Sequence, residues 1–227
     1  MPTLFLNKGG SIVGTVDTTQ AAARDEANGT SISQDVSVNA AIQYFKSSGR
    51  GGGTFRYIRS FLQFDSTQVT STVASATLNI ESHGNSGNGD VIVVASSAFG
   101  GTNSDLVNSD FSALDFSTTY SSEVTTWNTN GSNNAITLNA AALSALQNNN
   151  SFICAVINHD SDFLDTDPLS GDGSEANGID FAGTISISLT LAPTSEIASL
   201  NTVARTSISS FNTVPLASID KINTLDN

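Results

Sequence analysis

Six acidic residues crowd the segment 160–175, and their side chains are potential ligands for a metal ion: Asp160, Asp162, Asp165, Asp167, Asp172 and Glu175. Calcium prefers oxygen ligands, so the first four of these residues predict a calcium site, and no other cofactor is expected. The order departs from an EF-hand loop because Phe163 and Leu164 interrupt it and no glycine follows at the sixth position. The alternative is a solvated loop in which Asp167 opens a turn.

Hydrolytic catalysis needs a matched pair of carboxylates, or a nucleophile with a base that orients it. The acidic residues form no recognisable motif of this kind. The two histidines are His83, in a Gly/Asn-rich stretch, and His159, at the end of a predicted strand. Two isolated histidines make neither a zinc site nor a catalytic triad. We therefore expect that the protein is not an enzyme, and glycan cleavage is the least supported hypothesis.

Aromatic side chains offer a second kind of chemistry, because their faces can stack on sugar rings. Trp127 and Tyr120 are the predicted carbohydrate-binding residues, and Tyr57 is a further ring of this type. The alternative is that these rings pack in the core of a β-sandwich.

Arg59 stands out as a charged residue within an apolar strand. It alternates in step with Phe61 and Gln63, so its side chain shares a face with theirs. We expect Arg59 to be buried beside Asp65 as a structural ion pair.

A pattern of eleven residues occurs three times near the end of the sequence, and its apolar positions are Ile197, Leu200, Val203, Ile208, Phe211, Val214, Ile219, Ile222 and Leu225. Short repeats usually build elongated or stacked structures. The apolar positions within each unit are three residues apart, which favours a helix over a strand. Pro215 and the many Ser, Thr and Asn residues oppose a continuous helix. We predict one helical turn and a short extended link per unit. Such a unit is too small to be stable alone, so the repeats predict assembly; the alternative is a disordered tail.

Residues 1–192 carry the signals of short strands separated by turns. The predicted strands are Tyr57–Asp65, Ala76–Glu81, Asp90–Ala95, Ala135–Leu138, Ser151–Ile157 and Thr184–Leu191, with Val36–Phe45 as a less clear one. Clusters of Gly, Asn and Ser, notably Ser82–Gly89, predict loops, and Gly49–Gly53 predicts a flexible one. A single helix is predicted at Asn139–Gln147, with Asn139 as its cap. These elements predict an all-β, two-sheet sandwich at 1–192 and a repeat tail at 193–227.

Composition limits the partners. The 227 residues include 21 acidic and 8 basic ones, and the net charge of −13 opposes binding to nucleic acid or anionic membranes. Cys154 lies in an apolar run, where it is expected to pack as a small apolar residue. Residues 1–23 lack a basic segment before a long apolar stretch, so we expect neither a signal peptide nor a transmembrane span.

The segment Arg59-Ser-Phe-Leu-Gln-Phe-Asp65, followed after ten residues by Ser75-Ala-Thr-Leu-Asn-Ile80, resembles the DNRLRE-type carbohydrate-binding jelly-roll modules. These modules share an Arg-x-φ-φ-x-Phe-Asp strand and a Ser-Ala-Thr-Leu strand. The match covers about a quarter of residues 1–192 and implies a jelly-roll fold.

A second resemblance spans most of the chain. The sequence is similar to predicted virion structural proteins of tailed bacteriophages, with counterparts at 109–117, 120–123, Trp127, 137–139, 165–168 and in the Ile-x-x-φ-Asn-Thr-φ repeats. It implies a virion protein, either a capsid decoration (cement) protein or a head fibre, anchored by its repeats. The expected partners are other virion proteins and further copies of the chain, with a trimer as the predicted oligomer. The alternative is a tail-fibre adhesin that binds host glycans.

Overall fold

The computed structural model describes residues 2–35, 38–47, 53–86, 90–101, 104–128, 131–166 and 175–193, together with the dipeptides 199–200, 203–204, 210–211 and 214–215. Among these residues, no helix combines the length and the apolar character that crossing a bilayer requires. The chain divides into two compact units, Met1–Leu191 and Ala192–Asn227.

The first unit consists mainly of antiparallel strands, which confirms the predicted all-β class. Its strands are β1 Thr3–Val13, β2 Ser31–Ser33, β3 Val38–Ser47, β4 Thr54–Asp65, β5 Val73–Ser86, β6 Val91–Ser96, β7 Leu114–Thr119, β8 Asn133–Thr137, β9 Ser151–Asn158 and β10 Glu175–Leu191. All six clear strand predictions overlap one of these strands, as does the less clear one at 36–45. The sequence patterns missed β1, β2 and β7.

These strands form one curled sheet with the order β2-β1-β10-β3-β4-β9-β6-β7, and β5 pairs with both β10 and β8. Strand β1 changes partner along its length: residues 3–5 pair with β10, and the part from Leu6 onward pairs with β4. A register shift between Leu6 and Lys8 marks this change. One long strand thus connects two parts of the sheet, which is how a single sheet curls around a core.

The central strands are buried on both faces, and alternate residues enter two separate cores. Along β4, Leu62 and Phe64 belong to the first core, whereas Tyr57 and Phe61 belong to the second. Strands β6 and β9 divide their residues in the same way, which explains their nearly continuous apolar sequences. Strands β5, β8 and β10 enclose the first core. The second core lies under the segment 97–113 and a one-turn helix, α1, at Gln20–Arg24.

The predicted helix is confirmed as α2, Ala140–Asn148. The Asn139 side chain accepts a hydrogen bond from the Ala142 backbone N–H at 3.1 Å and donates one to the Thr119 carbonyl at 2.8 Å. Ala142 and Leu146, four residues apart, are buried in the first core. The prediction of one helix was incomplete, because α1 is a second.

Two further predictions concern single segments. Residues 82–86 are part of β5 rather than a loop, because pairing with β10, for example Ser86 with Gly178, outweighs the local Gly, Asn and Ser signal. Most of the loop predicted at 49–53 lies outside the described residues.

Cys154 is buried in the first core as expected, and this burial raises the pKa of its thiol.

The described residues of the second unit include four two-residue strands: β11 Ser199–Leu200, β12 Val203–Ala204, β13 Ser210–Phe211 and β14 Val214–Pro215. Strand β11 pairs with β12 and β13 pairs with β14, both antiparallel.

Replacing the helix cap tests the account of α2. Asn139→Ala removes an N-cap acceptor and the link to Thr119, so we expect the free energy of unfolding to fall by about 1 to 2 kcal/mol in denaturant titrations. Asn148→Ala is the matched control, because the hydrogen bonds of its exposed side chain stay within α2. We expect a change below about 0.5 kcal/mol there. Equal effects at both positions would contradict the capping role.

Candidate functional site

The repeat segment shows the sequence period in its backbone pairing. Leu200 pairs with Val203, and eleven residues later Phe211 pairs with Val214. These are four of the nine predicted assembly residues. The other five, Ile197, Ile208, Ile219, Ile222 and Leu225, lie outside the described residues. In the first two units, the described residues therefore form a pair of short extended segments in which two apolar positions are partners.

This pairing corrects the predicted conformation. A helical turn was expected around Leu200 and Phe211, but both residues are in extended strands. Each pair of partners is separated by two residues, which are Asn-Thr in the sequence and lie outside the described residues. Because apolar residues three positions apart pair as strands here, their spacing did not require a helix.

Arg59 and Asp162 are the most buried charged residues of the described chain, each with an exposed fraction of 1%. Arg59 is the larger of the two. Its Nε donates to Asp162 Oδ2 at 2.8 Å, and one of its terminal nitrogens donates to Asp162 Oδ1 at 2.6 Å. The side-chain nitrogens also donate to the carbonyls of Phe111 at 2.8 Å and Arg24 at 2.7 Å. The guanidinium therefore meets both a compensating charge and backbone acceptors, as a buried arginine requires.

Aromatic rings complete this environment. The guanidinium carbon of Arg59 lies 4.2 Å from the centre of the Phe111 ring and 5.8 Å from that of Phe116. The guanidinium carbon of Arg24 lies 4.7 Å from the centre of the same Phe116 ring. Cation–π contacts of this kind gain strength away from water. We call this arrangement, formed by Arg59, Asp162, Arg24, Phe111 and Phe116, the arginine cluster.

The expectation for Arg59 was therefore right about burial and wrong about the partner. Asp65 instead accepts hydrogen bonds from the backbone N–H and the hydroxyl of Thr67, which lower the pKa of its carboxyl. Asp162 lies 103 residues from Arg59, and no local sequence pattern links the two. An arginine on an apolar strand face does predict a buried acidic partner, but it does not say which one.

Two of the described acidic residues in the segment 160–175 lie beside arginines. Asp162 pairs with Arg59, and Asp165 lies 3.7 Å from Arg24 and accepts a hydrogen bond from Gln20 at 3.0 Å. Among the described residues, Asp160, Asp162 and Asp165 do not form a group of three carboxylates close enough to share one ion. Asp167 lies outside the described residues, so the four-residue calcium site stays a prediction.

The two predicted carbohydrate-binding rings are both in the first core. Trp127 is 6% exposed and Tyr120 is 8% exposed. The Tyr120 ring stacks on Phe152 with 5.0 Å between centroids. Both rings are packed in the core, as the alternative expected, so their burial does not support sugar stacking at these residues. Tyr57 is also buried, and its hydroxyl donates to the Ser161 carbonyl at 3.2 Å.

Substitution of Asp162 tests the arginine cluster. Asp162→Asn leaves the buried Arg59 guanidinium without a compensating charge, so we expect the free energy of unfolding to fall by about 3 to 5 kcal/mol. Chemical denaturation monitored by circular dichroism measures this change.

Asp65→Asn is the matched control, because Asp65 is the other acidic residue considered as a partner and its carboxylate contacts Thr67. We expect little change in its denaturation midpoint. A larger loss for Asp65→Asn than for Asp162→Asn would show that the wrong acidic partner has been identified.

Comparison with known proteins assigns no relative to this chain. No protein-family model matches the sequence, and no curated protein matches it either.

Proposed function

We propose that this protein is a structural component of a bacteriophage particle, as a capsid decoration protein or a head fibre, and that it attaches through its eleven-residue repeats. The observation that carries the proposal is the recurrence of the strand pair at the sequence period, with Leu200 and Val203 followed by Phe211 and Val214. The proposal also rests on the resemblance of the sequence to phage virion proteins.

Energetics favour an attachment role for these repeats. An isolated two-stranded hairpin is at best marginally stable in water, and strands of two residues are shorter still. Burial of an apolar side chain contributes about 1.5 to 3 kcal/mol, so the apolar positions of each unit gain stability when another surface covers them. In this proposal that surface belongs to other virion proteins or to further copies of the chain, with three copies as the proposed number.

For the body we propose a jelly-roll-like, two-sheet sandwich. Two features support it: the first core is formed by two runs of neighbouring strands, β4-β9-β6 and β10-β5-β8, and Arg59 to Asp65 matches the strand motif of the jelly-roll modules that the sequence resembles. In this role the body is a folded display unit without catalytic activity. Its net charge of −13 suits an exposed particle surface better than contact with nucleic acid.

The alternative is a tail-fibre adhesin whose β-sandwich binds host glycans, which the resemblance to carbohydrate-binding modules suggests. The two rings predicted to contact sugar, Trp127 and Tyr120, are buried and do not support it. Attachment through the repeats is therefore the function that we put forward.

Two double variants with the same charge change test attachment. Leu200→Asp with Phe211→Asp places carboxylates at apolar repeat positions, whereas Ser199→Asp with Ser210→Asp places them at the neighbouring polar positions. We expect the first variant to be incorporated into purified particles at least about tenfold less than the wild type, because each 1.4 kcal/mol of lost binding is a factor of ten. The serine variant should be incorporated at the wild-type level.

Quantitative immunoblotting of gradient-purified particles measures incorporation, and a melting curve of each free protein checks that the body is folded. Wild-type incorporation of the Leu200 and Phe211 variant would contradict attachment through the repeats. Absence of the wild-type chain from particles would contradict the virion role itself.

A further inference from the structure

Three potential metal ligands meet at one end of the sheet, apart from the arginine cluster and the repeats. They are Glu123, His159 and Asp160, and their ligand atoms all lie within 4.8 Å of one another. The Nδ1 atom of His159 is 2.9 Å from Asp160 Oδ1 and 3.4 Å from Glu123 Oε1. Two carboxylates therefore converge on a single imidazole nitrogen.

Backbone pairing of three chain segments fixes this meeting point. Val91 of β6 is paired with Asn158 of β9 on one side, and it forms a bridge with Val124 on the other. Both backbone hydrogen bonds of that bridge are present, at 3.1 and 2.8 Å. His159 is further held by its own N–H, which donates to the Asp90 carbonyl at 3.2 Å. The ligand positions thus follow from the sheet rather than from a free loop.

The local helix after β9 orients the imidazole. Residues His159–Phe163 form a single π-helical turn, and the side chain of Asn158 accepts the Ser161 N–H at its start. Within this turn the His159 ring stacks on Phe163, with 5.8 Å between centroids and 22° between planes. The His159 side chain is 14% exposed, whereas those of Glu123 and Asp160 are 39% and 57% exposed. A fixed nitrogen ligand is therefore accompanied by two oxygen ligands that solvent and ions can reach.

The distances fit one small ion. Two atoms bound at about 2.0 to 2.2 Å, with an angle between about 90 and 109° at the metal, lie about 2.8 to 3.6 Å apart. Both distances from His159 Nδ1 fall in this range. An imidazole nitrogen with carboxylate oxygens suits zinc and other first-row divalent ions, whereas calcium takes oxygen ligands.

We propose that Glu123, His159 and Asp160 bind a divalent transition-metal ion, with Zn²⁺ as the representative, and that water completes its coordination. This site differs from the predicted calcium site, because it uses a histidine and Glu123 and shares only Asp160 with it. It is also independent of the proposed attachment role, since it lies in the first unit.

Isothermal titration calorimetry of the full-length protein, stripped with a chelator, against Zn²⁺ and separately against Ca²⁺ tests the proposal. We expect one Zn²⁺ per chain and no Ca²⁺ binding at this site. Loss of residues that only orient metal ligands weakens metal binding by about 10- to 100-fold. We therefore expect His159→Gln, and Glu123→Gln with Asp160→Asn, to weaken Zn²⁺ binding at least tenfold.

His83→Gln is the matched control, because His83 is the other histidine of the sequence, and Asp105→Asn is the matched acidic control. Both should bind Zn²⁺ like the wild type. The Glu123 and Asp160 variant keeps the stacked imidazole, so it tests the site even where His159→Gln fails to fold. If the wild-type protein does not bind Zn²⁺, His159 only forms hydrogen bonds with the two carboxylates. If the Glu123 and Asp160 variant binds Zn²⁺ with wild-type affinity, the ion binds at another place. Either result overturns the proposal.

Discussion

The buried charge of Arg59 is the constraint on which the described loops of the first unit depend. A guanidinium inside a protein must meet a compensating charge and enough acceptors for its N–H groups. Asp162 supplies the charge, and the carbonyls of Arg24 and Phe111 supply further acceptors. Three segments that are distant in sequence are thereby held over one face of the central strands, where they close the second core.

The same constraint extends to the proposed metal ligands. His159 and Asp162 belong to one five-residue turn, so the pairing of Asp162 with Arg59 also holds the turn that carries the imidazole. One face of β4 thus determines both how the second core is covered and where His159 lies. In the proposed function, attachment belongs to the repeats and display belongs to the body.

The sequence predicted the elements whose signals are local. Alternation identified most strands, and Asn139 identified the start of α2, because these signals lie within a few residues. Features that depend on distant partners were not predictable: the choice of Asp162 rather than Asp65, and the extension of β5 through residues 82–86. For the repeats, the sequence predicted the period of eleven residues but not the conformation. Apolar positions three residues apart suit both a helical turn and strand pairing with two residues in between. Glu123 was missed as a possible ligand because its neighbour His159 is 36 residues away, across two strand pairings.

Hydrogen–deuterium exchange of the Asp162→Asn protein, compared with the wild type under native conditions, tests most directly whether one buried charge organises these loops. The account predicts that amides in 20–25, 108–116 and 158–166 lose protection together, while those of β5 and β8 keep theirs. Loss of protection confined to 158–166 would show that Arg59 and Asp162 stabilise only a local turn, and would contradict the central claim.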